Sequence, residues 1–284
     1  MLKKLLTNHI NLNVEQHEVA LLLSGGVDSI SVGLAAENAG KEVTAYTFQL
    51  EGNPSYDFEK SQEICSITGW DFVPVEVPID NLKTDWHRLV EHGCRKKTHF
   101  ETVFPFLYVY PQIKQEYVLT GWGADGYFGP SKKAMMRYAS DRAWERYKKT
   151  TDNPVSFDDF RNSYLDGDCA GLQQHTNLAS NHGKVHITPY LDSNVRSYLM
   201  SMTWQELNKP EQKFIVRQEF DIETLLGKVK PHVNLQLGSK VDVLFATLLE
   251  DPEINFKHRK RMMDVCRDWY ELNINKTTDL TDFM

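Results

Sequence analysis

The chain has 284 residues, 41% hydrophobic and 25% charged, enough for one large soluble globular domain or two modest ones. A net charge of −7 argues against a general nucleic-acid surface, and the one local basic run noted, His258 to Arg261, reads as a solvated helix face. The four cysteines (65, 94, 169, 266) form no Cys-x-x-Cys pair, which argues against structural zinc and suits reduced thiols in a cytoplasmic protein. Met1 to Asn13 lacks the apolar core of a signal peptide, and no run reaches the length of a membrane span.

Strands and helices alternate through the first half. Residues 1–17 read as an N-terminal extension. Val19 to Leu23 is a short apolar strand, followed by a helix from about Asp28 to Asn38 that Gly40 ends. Residues 43–48 form a second strand, 56–68 a helix closed by Gly69, and 72–77 a third strand. Helices near 81–92 and 100–113 precede a fourth strand at 117–120. Such alternation predicts a doubly wound parallel α/β sheet covered on both faces, with ligands at the carboxyl ends of its strands. The nucleotide-binding core is expected over 18–130. Beyond Pro130 the strand pattern fades. Segments 131–149, 157–166, 193–207, 211–226, 240–250 and 256–273 accept helical spacing, so 131–284 is expected to be mostly helical with a loose tail from Asn275.

Residues 24–29 read Ser-Gly-Gly-Val-Asp-Ser, between the end of the first strand and the start of a helix. Gly25 and Gly26 let the backbone approach an anion, and the helix adds its positive N-terminal end. Ser24 and Ser29 offer hydroxyl donors, and Asp28 can hold a divalent cation against phosphate oxygens. An ordinary turn would show similar residues, but here the strand and helix that such a motif requires are both present. No Walker lysine and no Gly-x-Gly-x-x-Gly fingerprint occur in it. The end of the fourth strand opens into Gly121-Trp122-Gly123-Ala124-Asp125-Gly126. If the two loops are neighbours, Asp28 and Asp125 can share a magnesium ion completed by pyrophosphate oxygens.

The hexapeptide resembles the loop of the PP-loop ATP pyrophosphatases, which split ATP between its α and β phosphates. Residues 119–129 resemble the second signature of the synthetase domain of asparagine synthetases and β-lactam synthetases. Thr188-Pro189-Tyr190-Leu191-Asp192 is similar to that fold's Val-Pro-Phe-Leu-Asp. Gln212 to Phe220 is similar to its Lys-x-x-Leu-Arg-x-x-Phe helix, and Lys228 to Ser239 to its lysine loop followed by Gln-x-Gly-Ser. The resemblance runs from about residue 18 to 240 in the family's order. It implies ATP- and Mg2+-dependent adenylation of a small carboxylate, then amide formation with ammonia or another amine. Ser24, Gly25, Gly26, Asp28 and Ser29 would hold pyrophosphate, and Asp28 and Asp125 magnesium. Leu22, Phe48 and Gly121, with Trp122 beside them, would receive the nucleotide. Lys213 and Lys230 would act on phosphate charge, Lys230 as the mobile catalytic lysine, with Lys228 and His232 as alternatives.

Several positions depart from the family. Trp122 stands where a Glu or Tyr is usual, Gly126 replaces a Glu, and Val185 and Ile187 replace a Glu and an Arg. These changes argue against aspartate as the acceptor. Residue 2 is Leu rather than a nucleophilic Cys, and no glutaminase half is expected, so ammonia would come from a separate source. The sequence does not name the oligomeric state. Two other readings stay open: another PP-loop reaction (NAD synthetase, tRNA modification or 7-cyano-7-deazaguanine synthesis), or a non-catalytic nucleotide-binding module.

Overall fold

The computed structural model describes residues 1–227 and 235–279. In chain order these form α1 (Leu2–Asn13), β1 (Glu18–Leu22), α2 (Val27–Asn38), β2 (Glu42–Leu50), α3 (Tyr56–Thr68), β3 (Asp71–Val77), α4 (Leu82–Glu91), α5 (Lys97–Val103), α6 (Phe106–Val109) and β4 (Tyr117–Leu119). Then come α7 (Ala124–Phe128), α8 (Lys132–Tyr138), α9 (Asp141–Lys149), α10 (Phe157–Leu165), α11 (Leu172–Asn181), β5 (Val185–Ile187), α12 (Ser193–Met200), α13 (Trp204–Asn208), α14 (Phe214–Glu219) and α15 (Ile222–Leu226). The last are α16 (Leu235–Gly238), α17 (Val241–Ala246) and α18 (Met262–Asp279).

One parallel sheet runs in the order β3-β2-β1-β4-β5. It is the doubly wound α/β sheet expected from the alternation. Residues along β1 alternate between its two faces, as the period of a strand requires. Val19, Leu21 and Leu23 join the core under α1 and α2, while Ala20 and Leu22 join the core under α4, α5, α17 and α18. The order of connection reverses between β1 and β4, whose register pairs Ala20 with Val118 and Leu21 with Leu119. Both glycine-rich loops therefore leave neighbouring strand ends, where open parallel sheets form their ligand crevice.

Several elements differ from the expected ones. Residues 2–13 form a helix whose Leu2, Leu6 and Ile10 are fully buried in the core with α2 and α12. The stretch 171–187, given no element by periodicity, holds α11 and the fifth strand β5. The single helices expected over 131–149, 193–207 and 211–226 are each broken in two. Ser140 and Thr203 cap new helices by accepting hydrogen bonds from Ala143 N and Glu206 N, and Asp221 takes a left-handed backbone, φ +52°. The last helix starts at Met262 rather than 256, because Asn255 and Asp268 hold the preceding turn through Arg259. The Gly-Ser segment after Gln236 falls in α16 and the turn after it, whereas Lys228, Lys230 and His232 lie outside the described residues. So does the end of the tail, 280–284. No described helix is long and apolar enough to cross a membrane.

Candidate active site

The loop after β1 is built around its own serines. Ser24 N donates to Ser29 Oγ at 3.2 Å, the two hydroxyls meet at 3.1 Å, and Ser29 Oγ donates to Gly26 O at 3.0 Å. Helix α2 follows with Gly26 at its cap and no side chain on its first N–H groups. Uncapped amides at the positive end of a helix form an anion site. Gly25 has φ +70°, and a Cβ there would lie 3.1 Å from Asp57 O. Gly121, from the loop after β4, approaches so closely that a Cβ would lie 2.9 Å from both Asp28 C and Ser29 N. The two loops thus touch through their backbones.

The rear of the site is pinned by the Thr188–Asp192 segment. Tyr190 OH shares a 2.7 Å hydrogen bond with Ser31 Oγ on α2, and Tyr190 O accepts from Tyr127 OH at 2.7 Å. Asp192 caps α12 by accepting from Asn194 N and Val195 N. This motif therefore holds the two loops together from behind.

Lys213 joins the acids. Its ammonium donates to Asp125 Oδ1 at 2.6 Å and also to Asp28 Oδ2. The residue is 5% exposed and sits at φ +60°, fixed by Asn208 Oδ1, which accepts from Lys213 N at 3.1 Å. Burial works against the lysine charge, but Asp125 and Asp28 outweigh it and hold its pKa above the ordinary value. Burial pushes the Asp28 carboxyl up to about 6; Lys213 opposes that rise and Asp125 adds to it. Asp28 Oδ1 is buried and has no hydrogen-bond partner. An orphaned carboxylate oxygen beside a second carboxylate fits magnesium, which is held by one or two carboxylates plus water and phosphate oxygens. No group of three or more His, Cys, Asp or Glu residues suited to a metal occurs among the described residues, so the remaining ligands would come from the nucleotide and water.

Two connected cavities adjoin this cluster. A small one of about 60 Å³ is lined by Leu22, Tyr46, Thr47, Phe48 and Phe106 at the ends of β1 and β2. A larger cleft of about 390 Å³ contains Ser24, Gly26, Asp28, Ser29, Gly121, Trp122 and Asp125. The structure so gathers the sequence-predicted residues on one crevice, with Gly25 and Lys213 against it. Lys230 and its alternatives Lys228 and His232 lie outside the described residues.

The far wall of the cleft was not legible in the sequence. It comes from Thr102, Phe106, Phe160, Tyr164 and Ala170. Trp122 Nε1 donates to Cys169 O at 2.6 Å, and its ring lies 4.2 Å from that of the buried His175. The space left by glycine at 126 is filled: a Cβ there would lie 2.6 Å from Leu165 Cδ2 and 2.7 Å from Tyr164 Cδ1. Val185 is exposed and Ile187 packs into the core under α2, while His186 between them hydrogen-bonds Thr120 and Thr176.

The model of the asparagine synthase family matches residues 1–177. The chain belongs to the asparagine synthase family. As a member of that family it is an ATP-utilising protein of the PP-loop class. No curated protein matches it. Among solved structures it is similar to NMN synthetase from Francisella tularensis, at 15% identity and TM-score 0.34, covering 82% of this chain and 97% of that one. It is also similar to the NH3-dependent NAD synthetase from Campylobacter jejuni, at 16% identity and TM-score 0.33, covering 82% and 98%. A predicted subunit of tRNA methyltransferase from Methanocaldococcus jannaschii is similar at 16% identity and TM-score 0.32, covering 66% and 76%.

Proposed function

We propose that this asparagine synthase family member activates a carboxylate with ATP and Mg2+ and passes the acyl group to ammonia or another amine. The observation that carries the reading is the meeting of Asp28, Asp125 and Lys213 where the two loops touch, with Asp28 Oδ1 left unpaired. In the first step a carboxylate oxygen attacks the α phosphorus, the α–β anhydride bond breaks, and pyrophosphate leaves. In the second the amine nitrogen attacks the acyl carbon, the C–O bond to AMP breaks, and the amine proton passes to solvent.

The chain's own groups suit these steps. The free N–H groups of α2 and the hydroxyls of Ser24 and Ser29 would bind the departing pyrophosphate. Lys213 would neutralise phosphate charge from a fixed position, which lowers a transition state in which that charge grows. The pocket by Leu22 and Phe48 would take adenine. Magnesium held by Asp28 and Asp125 would supply further charge neutralisation at the phosphate oxygens.

The acceptor follows from the cleft wall. Leu165 and Tyr164 fill the place of an acidic group, and Trp122, Phe106 and Phe160 present apolar surface. A small zwitterion such as aspartate would lose about 2–5 kcal/mol for each buried charged partner missing. A larger, less polar carboxylate fits this wall. The test is chromatography of nucleotide products while carboxylates are varied. AMP and pyrophosphate are expected, with apolar acids preferred. Accumulation of ADP and phosphate would sink the reading, and efficient conversion of aspartate to asparagine would sink the choice of acceptor.

A further inference from the structure

Charge is distributed unevenly along this acidic chain. Residues 131–149 hold seven basic and two acidic residues, a net +5, so the remainder carries −12. These residues form α8 and α9, a helical hairpin. Lys132, Lys133, Arg142, Arg146, Lys148 and Lys149 are all exposed, and α9 buries no residue at all. Among the described residues, Lys148 alone of these is seen in an ion pair, with Glu145. In the other basic run, His258 to Arg261, Arg259 pairs with Asp268 and Arg261 with Asp264, so part of its charge is neutralised locally.

The hairpin stands at the mouth of the cleft. Pro130 and Ser131, just before α8, line it. Tyr138 at the end of α8 packs on Phe160, 5.7 Å between ring centroids, and Phe160 is itself part of the cleft wall. Whatever binds the hairpin is therefore one side chain from the substrate space.

We propose that α8 and α9 dock an acidic protein surface beside the cleft. Charge complementarity sets the sign of the partner, because a cluster of exposed cations in an otherwise acidic molecule attracts carboxylates there and repels them elsewhere. Two observations favour a protein over a nucleic acid. Met135 and Met136, 47% and 66% exposed among the lysines, supply the adaptable apolar contact that protein-binding surfaces use. The aromatic rings of the hairpin are not open for base stacking: Arg137 lies 4.4 Å over Tyr147 and Lys148 5.6 Å over Trp144. The hairpin is also short, and a long phosphate backbone would soon run onto the acidic remainder.

The test is fluorescence anisotropy with a labelled amphipathic helix of glutamate and leucine, against a single-stranded RNA of equal charge. Two variants are compared with wild type: the charge reversal Lys132→Glu/Lys133→Glu/Arg142→Glu/Arg146→Glu, and Met135→Ser/Met136→Ser. These side chains are exposed, and an unchanged circular dichroism spectrum verifies the fold of each variant. The peptide should bind wild type, and charge reversal should weaken it by about tenfold or more at low salt. The methionine variant should weaken it severalfold at high salt, where the charges are screened. Absence of peptide binding, or binding indifferent to charge reversal, overturns the proposal. Tighter binding of RNA than of peptide assigns the hairpin to nucleic acid instead. No effect of the methionine changes reduces it to an indiscriminate polyanion surface, which also overturns the assignment.

Discussion

Replacing Lys213 by methionine should destabilise the fold and, at the same time, make it responsive to magnesium. Methionine keeps the unbranched apolar stem, one atom shorter, and loses the ammonium with its charge and donors. What remains is Asp28 and Asp125 facing one site, with the ammonium that reached both gone. Removing one partner of a buried ion pair costs about 3–5 kcal/mol. Asp125 is 46% exposed in its side chain, so water screens it and the lower end, about 3 kcal/mol, applies. Protonation of Asp28 recovers part of that as pH falls. For a chain of this size each kcal/mol moves Tm by roughly 2–4 °C, so a drop of about 6–12 °C is expected. In wild type the ammonium competes with a cation for the two carboxylates. In the variant that competitor is gone, so added Mg2+ should restore several degrees while barely moving wild type. Thermal unfolding with and without Mg2+ checks both halves. A variant that melts with wild type, or equal magnesium shifts in the two proteins, would refute the shared site.

Gly121→Ala should lower ATP affinity about tenfold and cost about 1–3 kcal/mol, because the new methyl would meet backbone rather than a movable side chain; a wild-type affinity by calorimetry would show that the loops need not touch. Gly126→Glu should fail to create an aspartate-specific enzyme and should destabilise the fold, since Leu165 and Tyr164 occupy the space; a well-folded variant that accepts aspartate would disprove this. Burial holds His186 down to about 4 and His175 well below its ordinary value. Both are neutral when folded, whereas the unfolded chain takes up their protons near pH 6.5, so stability is full above that pH and is lost as pH falls toward 4. The loss from His186 is at most about 3 kcal/mol. Urea midpoints across that window should fall, and less steeply in His186→Gln; a flat midpoint in wild type would contradict the buried neutral pair.

What could be read from the sequence was what carries local periodicity or a dense motif. The first four strands are apolar runs ended by turn residues, and the two glycine-rich loops show their chemistry in six letters each. Helix α11 escaped because it buries polar residues, Gln174 and His175, which no hydrophobic pattern marks. Strand β5 is three residues long, too short for alternation to appear. Helix α1 did carry a stripe, Leu2, Leu6 and Ile10, but lysines and asparagines around it masked the signal. At the site, Asp28, Asp125 and Lys213 were each legible from a motif, while their meeting at one ammonium is a property of the fold. The cleft wall had no signal at all. The fit of Leu165 and Tyr164 to Gly126, and of Trp122 to Cys169 O, joins positions about forty residues apart that no local pattern connects.

The packing of α1 bears on how this chain is made. Its apolar stripe is covered by α2, α12, α14 and the turn at Pro189–Leu191. The helix leaves the ribosome before all of these, and only α2 follows it closely, the others coming about 180–200 residues later. Through most of synthesis, at about 5–20 residues per second, the part of the stripe that the later elements cover is open to other chains and to chaperones. Its burial closes a long loop, and contacts so distant in sequence form slowly. Completion of the Lys213 region and full shelter of α1 are therefore late and simultaneous events, so a ribosome stalled after β5 should hold a nascent chain in which α2 alone covers that helix.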